Sequence, residues 1–131
     1  ETAIFLSKLI YEGVFDRFPE LKVVGSHGGG YLPSYLSRFE VACELRNDAA
    51  CINKKSPSEY LKSQIFVDSM VFSDEGLRHL VAEVGADQIV FGSDVPFTWP
   101  DTVPIIEASD ALNAHEKEAV LGGNLARLLK L

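Results

Sequence analysis

Apolar residues recur at helical spacing from the start of the chain. Ile4, Phe5, Leu9, Ile10 and Val14 share most of one face across residues 2–17, and Pro19 stops that helix. Residues 21–26 then form a short apolar run that predicts a buried strand. Beyond Gly28-Gly29-Gly30 the helical period returns over 31–46, with Leu32, Tyr35, Leu36, Phe39, Val41 and Cys43 on a broad apolar face. Residues 47–55 are polar and read as a loop. Ser56-Pro57-Ser58-Glu59 signals a helix start: a capping serine, a proline at the first helical position and a glutamate at the third. Ile65-Phe66-Val67, within 64–69, predicts a second strand. Ser73 suits the cap of a helix running to Val84, and Gly85 suits its exit. Residues 88–92 predict a third strand, and 98–101 a loop holding Trp99 and Pro100. Helices are expected near 102–112 and 114–121, the second capped by Asn113 with Glu116. A last helical turn or two fills 124–131.

The predicted order is α-β-α-β-α-β-α-α. Strands that alternate with helices imply right-handed crossovers and a parallel sheet covered on both faces. The fold class is therefore α/β, and residues 1–131 read as a single domain without repeat or linker. Three strands make a very small parallel sheet with two bare edges. The chain also begins at Glu1, inside a helical pattern. Both features lead us to expect a portion of a larger architecture.

Composition narrows the function. With 131 residues, 47% of them hydrophobic and 24% charged, the chain is of ordinary globular type. A net charge of -7 argues against nucleic-acid binding. No basic amphipathic stretch and no apolar run near the ~20 residues of a bilayer span point to a membrane. Cys43 and Cys51 are expected to be free buried thiols in a reducing, cytoplasmic compartment, since Cys43 falls in a helical pattern and no secretory signal precedes it.

Two strand patterns end in residues able to bind metal or move protons. The first delivers His27, the third Asp94, and in parallel α/β folds chemistry is built at that end of the strands. A neutral imidazole there serves as metal ligand or general acid/base near pH 7; a simple hydrogen-bonded strand-end histidine is the alternative. The three glycines after it let backbone approach a ligand closely, or are purely steric. A buried Asp94 must meet a cation, a metal or donors, or else serve as a loop or helix cap. Asp68 ends the second strand in the same way and reads more as a supporting partner than as a direct ligand. Arg38, on the helix after the glycines, offers a fork for a carboxylate or a surface ion pair. Trp99 is placed to line a pocket or to cap the core. His79 and His115 sit among polar neighbours and read as surface residues. No Gly-x-Ser-x-Gly elbow and no Cys-x-x-Cys pair is present, so nucleophilic-triad chemistry has little support.

Three ordered motifs carry a family resemblance. Gly13-Val14-Phe15-Asp16-Arg17-Phe18-Pro19-Glu20-Leu21-Lys22-Val23-Val24 running into His27-Gly28-Gly29-Gly30, then Ile89-Val90-Phe91-Gly92-Ser93-Asp94-Val95-Pro96-Phe97, then Gly122-Gly123-Asn124-Leu125-Ala126-Arg127-Leu128-Leu129, together resemble the amidohydrolase-related group. That group includes the aminocarboxymuconate semialdehyde and resorcylate-type decarboxylases. The resemblance implies a (β/α)8 barrel, of which this chain is the C-terminal part: the last three β/α units plus C-terminal helices. It implies a metal-dependent decarboxylase or hydrolase acting on a small carboxylated unsaturated or aromatic substrate, with zinc or manganese as cofactor and a homodimer as assembly. His27 is then the acid/base, Asp94 a metal ligand, and Arg38 an arginine that reaches a carboxylate in the neighbouring subunit's site. The family's His-x-His pair and its further histidine ligand have no counterpart in these residues. Catalytic zinc sites normally keep three protein ligands, so a catalytically incompetent chain whose robust property is association is the alternative expectation.

Overall fold

Among the described residues, three parallel strands form one sheet in the order β1 (Val23–Gly25), β2 (Ile65–Asp68), β3 (Ile89–Val90). The computed structural model describes residues 1–131, the side chain of Asn47 excepted. Val23, Val24 and Gly25 pair with Ile65, Phe66 and Val67, and Val67 and Asp68 with Ile89 and Val90. Helices α1 (Thr2–Tyr11) and α2 (Val14–Arg17) precede the sheet. Then α3 (Leu32–Leu45) and α4 (Pro57–Leu61) lie between β1 and β2, and α5 (Asp74–Val84) between β2 and β3. Last come α6 (Val103–Ala108), α7 (Ala114–Glu118) and α8 (Asn124–Leu129). The alternation is the expected one, and the class is α/β.

Successive strand side chains point to opposite faces. Ile65, Val67 and Ile89 join Leu6, Ile10, Leu36, Leu77 and Leu80 in one continuous core between sheet and helices. Their alternates Val24, Phe66 and Val90 lie on the other face, outside that cluster, and Val24 remains 45% exposed. One face of the sheet is thus helix-covered and the other is only partly covered.

The first expected helix divides in two. The chain leaves the helical path after Tyr11 and passes through Gly13 at φ 66° before α2 begins. The buried stripe of α1 is Ala3, Leu6 and Ile10, while Ile4 and Phe5 are exposed. The face of Phe5 and Leu9 has helical spacing as well, and the sheet decides which one is used. Likewise α3 buries Leu32, Pro33 and Leu36 and leaves Tyr35 and Val41 exposed.

The cysteines correct the sequence reading. Cys43 and Cys51 form a disulfide, with Cα atoms 5.7 Å apart. A helical Cys43 does not prevent this. The chain doubles back after α3, Ala50 takes a left-handed conformation (φ 51°), and Ile52 N–H donates to the Tyr11 carbonyl at 3.0 Å. That return lays Cys51 against the last turn of α3.

The C-terminal helices also differ in extent. α6 ends at Ala108, where Ser109 turns extended, whereas α7 and α8 are joined by a π-helical turn over Ala119–Gly123 into one run. The run is anchored by Asn124, which is 2% exposed. Its amide nitrogen donates to the Ala86 carbonyl at 2.8 Å and the Ile89 carbonyl at 2.7 Å. Arg127 adds a bond to the Asp87 carbonyl at 2.9 Å. Asn124→Ala leaves two buried acceptors unpaired and is expected to cost about 2–3 kcal/mol. A lowered urea midpoint with unchanged slope checks this, and an unchanged midpoint would refute the anchoring role.

No helix among the described residues is long and apolar enough to cross a membrane.

Candidate active site

The carboxyl ends of all three strands meet in one place. After β1 the chain turns sharply: His27, Gly28, Gly29 and Gly30 all have left-handed φ, at 57°, 61°, 77° and 66°. A side chain at Gly29 would place its Cβ 2.9 Å from Val67 Cγ1 as well as in a disfavoured conformation, so the turn needs glycine. The glycine N–H groups are spent inside the protein. Gly29 donates to the Ser26 carbonyl at 3.1 Å and Gly30 to the His27 carbonyl at 2.9 Å. The steric reading of the glycines thus has support in the turn itself, and Gly28 N–H has a partner as well, the Asp68 carboxylate at 2.8 Å.

Asp68, at the end of β2, organises this turn. Its Oδ2 accepts from His27 N–H at 2.9 Å, and its Oδ1 from Gly28 N–H at 2.8 Å and Met70 N–H at 3.0 Å. Gly92 packs directly on it, since a Cβ at that position would fall 2.9 Å from Asp68 Cβ. Asp68 is the supporting residue that the sequence suggested, in a more central role than expected. The carboxylate offsets its partial burial with three backbone donors.

Asp94 lies beyond β3 at φ 52°. Its Oδ1 stands 3.5 Å from His27 Nε2, a contact that becomes an ion pair when the imidazole is protonated. Its Oδ2 accepts from Trp99 Nε1–H at 2.7 Å. The positive-φ residues other than glycine are His27, Ala50, Asp94 and Lys130, so both candidate chemical residues are among them. Non-glycine residues held in this region cost free energy and gather at functional sites.

His27 and Asp94 open onto a cavity of about 390 Å³ that Met70, Phe72, Phe97 and Trp99 complete. One wall is polar and the other is aromatic and thioether. The His27 side chain is 58% exposed and that of Asp94 23%, so both are within reach of a ligand. A larger hollow of about 540 Å³ at the opposite end of the strands borders Lys62, Glu116 and Arg127 and includes neither residue.

The other candidates are more scattered. Trp99 lies in the cavity with His27 and Asp94, whereas Arg38 is exposed on α3, outside it. His79 is exposed and contacts Ser34 Oγ at 2.9 Å, and His115 is exposed on α7. Met70 and Phe72 have no sequence signal beyond their position just after a strand end, and Phe97 enters only as the last residue of the motif that ends the third strand.

Imidazole nitrogen and carboxylate oxygen are the right donor types for a divalent ion. Among the described residues, however, no group of three or more His, Cys, Asp or Glu converges. His27 and Asp94 are at most part of a ligand set.

Comparison with known proteins covers the whole chain. A family model described as Amidohydrolase matches residues 2–131. A 2-amino-3-carboxymuconate-6-semialdehyde decarboxylase of Dictyostelium discoideum is 37% identical over 134 residues, which is 100% of this chain and 37% of that protein. A gamma-resorcylate decarboxylase of Rhizobium radiobacter is 33% identical over 146 residues, 100% of this chain and 41% of its own length. Among solved structures, a dihydroxybenzoic acid decarboxylase of Polaromonas with bound manganese and 2-nitroresorcinol superposes with a TM-score of 0.86 at 25% identity. That match covers 98% of this chain and 40% of the other. The chain thus spans less than half the length of each of these relatives.

Proposed function

The chain belongs to the amidohydrolase family, and on that premise we propose that it is the C-terminal part of a (β/α)8 barrel enzyme, a metal-dependent decarboxylase or hydrolase of a small carboxylated unsaturated or aromatic substrate. The observation that carries the reading is the 3.5 Å approach of His27 Nε2 to Asp94 Oδ1 in an aromatic-walled cavity at the carboxyl ends of parallel strands. Active sites of such barrels are built at that face.

In this reading Asp94 contributes one ligand to a zinc or manganese ion, and the remaining donors belong to the rest of the barrel. The ion supplies Lewis-acid polarisation of the substrate. In decarboxylation the carbon that loses CO2 takes a proton in its place. In this reading His27 holds and moves that proton, with Asp94 Oδ1 3.5 Å from its Nε2. Phe72, Phe97 and Trp99 offer a flat apolar wall for an unsaturated or aromatic acid. Arg38, outside the cavity, is assigned to a carboxylate at the neighbouring subunit's site in a homodimer, where a guanidinium binds in bidentate fashion.

A second reading rests on the incomplete donor set: the chain by itself is catalytically incompetent and chiefly associates with other chains. Its exposed Ile4, Phe5 and Val24 suit that reading.

One experiment separates the two. The protein that carries this chain is assayed for CO2 release from 2,6-dihydroxybenzoate and related acids, before and after chelation, beside the 131-residue chain alone. The expected result is activity in the larger protein, lost on chelation and restored by Mn2+ or Zn2+, with weak metal binding and no activity for the chain alone. Tight stoichiometric metal binding by the chain alone would overturn the shared-barrel reading. Absence of turnover across the panel by the metal-loaded protein would overturn the decarboxylase reading.

A further inference from the structure

Trp99 does more than line the cavity. Its Nε1–H donates to Asp94 Oδ2 at 2.7 Å, while the other oxygen of the same carboxylate faces His27. The two ends of this hydrogen bond are five residues apart, and the intervening turn is closed by Phe97 N–H donating to the Asp94 carbonyl at 3.0 Å. Two aromatic rings also neighbour the half-exposed indole. Phe72 lies 6.0 Å away, ring centre to ring centre, and Phe97 6.2 Å. Aromatic neighbours at such separations restrict the ring, and a restricted ring aims its N–H.

We infer that Trp99 is a positioning residue for Asp94. It takes up Oδ2, fixes the rotation of the carboxylate, and leaves Oδ1 alone to serve His27 and any bound cation. A carboxylate without such a partner is free to rotate or to bind a cation through both oxygens. Partners of this kind orient the groups that touch a metal or a reacting atom, and their loss commonly costs about 10- to 100-fold in affinity or activity. The inference rests on the reading of Asp94 as the working carboxylate, but its core, the indole–carboxylate bond, is tested without any activity.

Trp99 is the sole tryptophan of the chain, so a 15N-labelled sample yields one indole N–H resonance. In the unsubstituted chain that resonance is expected downfield of a free indole and protected from hydrogen exchange. Asp94→Ala should move it towards the free-indole position and speed its exchange at least tenfold. Asp101→Asn, two residues from the indole on its other side, should leave it in place. Should Asp94→Ala fail to fold, the protection measured in the unsubstituted chain decides the point by itself. An unprotected indole there, or a resonance indifferent to Asp94→Ala in a folded chain, overturns the inference.

Trp99→Phe, which keeps an aromatic wall and removes the N–H, tests the consequence in the metal-loaded enzyme. A positioning role lowers kcat about tenfold with KM little changed. A wall-only role raises KM with kcat preserved, and that result would also overturn the inference. An enzyme with no decarboxylase activity would sink the proposed function, while the indole resonance still decides whether Trp99 holds Asp94.

Discussion

Replacing His27 by alanine in the complete enzyme is expected to lower kcat about 100- to 10,000-fold, the usual contribution of a positioned general acid/base, with the metal retained. The expectation follows from where His27 stands. It directly follows β1 and Ser26, its backbone N–H is tied to Asp68, and its Nε2 lies 3.5 Å from Asp94 Oδ1. On the proposed reading, removing the ring removes the proton carrier and leaves Asp94 in place. A fall in kcat at constant metal content is therefore the signature of acid/base loss, whereas metal lost together with activity would make His27 a ligand instead. Turnover that survived unchanged would refute both roles. His27 is also held at φ 57°, where alanine is less at ease than asparagine. His27→Asn is the better-folded companion, and it should show the same loss of turnover.

The second large effect is on the fold. Asp68→Ala is expected to cost about 2–4 kcal/mol, a sizeable part of the 5–15 kcal/mol that holds a typical domain together. Three backbone N–H groups lose a charged acceptor at once, and those of Gly28 and Met70 are partly buried. In the turn from His27 to Gly30 the non-glycine His27 is held at φ 57°, and Asp68 anchors the turn on β2. Urea denaturation measures the loss. Asp68→Asn should cost clearly less, because one remaining oxygen still faces Gly28 and Met70. Since displacement of a reacting group by about 1 Å can cost 100-fold, Asp68→Ala should also depress kcat in the complete enzyme. Stability unchanged by Asp68→Ala, with metal lost, would show that Asp68 works as a ligand and not as an anchor.

Much of the site was legible along the chain because each half of it is local. An apolar run that ends in His27, and another that ends in Asp94, need only the strand period and the direction of the chain to be recognised. The glycines marked the turn, and the Asn113–Glu116 and Ser56–Glu59 caps appear as read. The C-terminal motif around Asn124 was visible as a resemblance, but its physical work was not. The Asn124 amide reaches Ala86 and Ile89, 38 and 35 residues back along the chain.

Other features depended on contacts between distant segments. Periodicity placed a helix at the start of the chain. It could not choose between the face of Phe5 and Leu9 and that of Ala3, Leu6 and Ile10, because both repeat at helical spacing and only packing against the sheet favours one. The disulfide required the chain to double back after α3, a path that no local preference around Cys43 encodes. Asp68 and the His27 turn are 40 and 41 residues apart. They meet because β1 and β2 pair in parallel with a defined register. Strand ends bearing His27, Asp68 and Asp94 were thus written in local patterns, since hydrophobic period and turn chemistry act over a few residues. Which of the three carboxylate and imidazole groups face each other, and which spend their hydrogen bonds on the backbone, was settled only when sheet pairing brought those strand ends side by side.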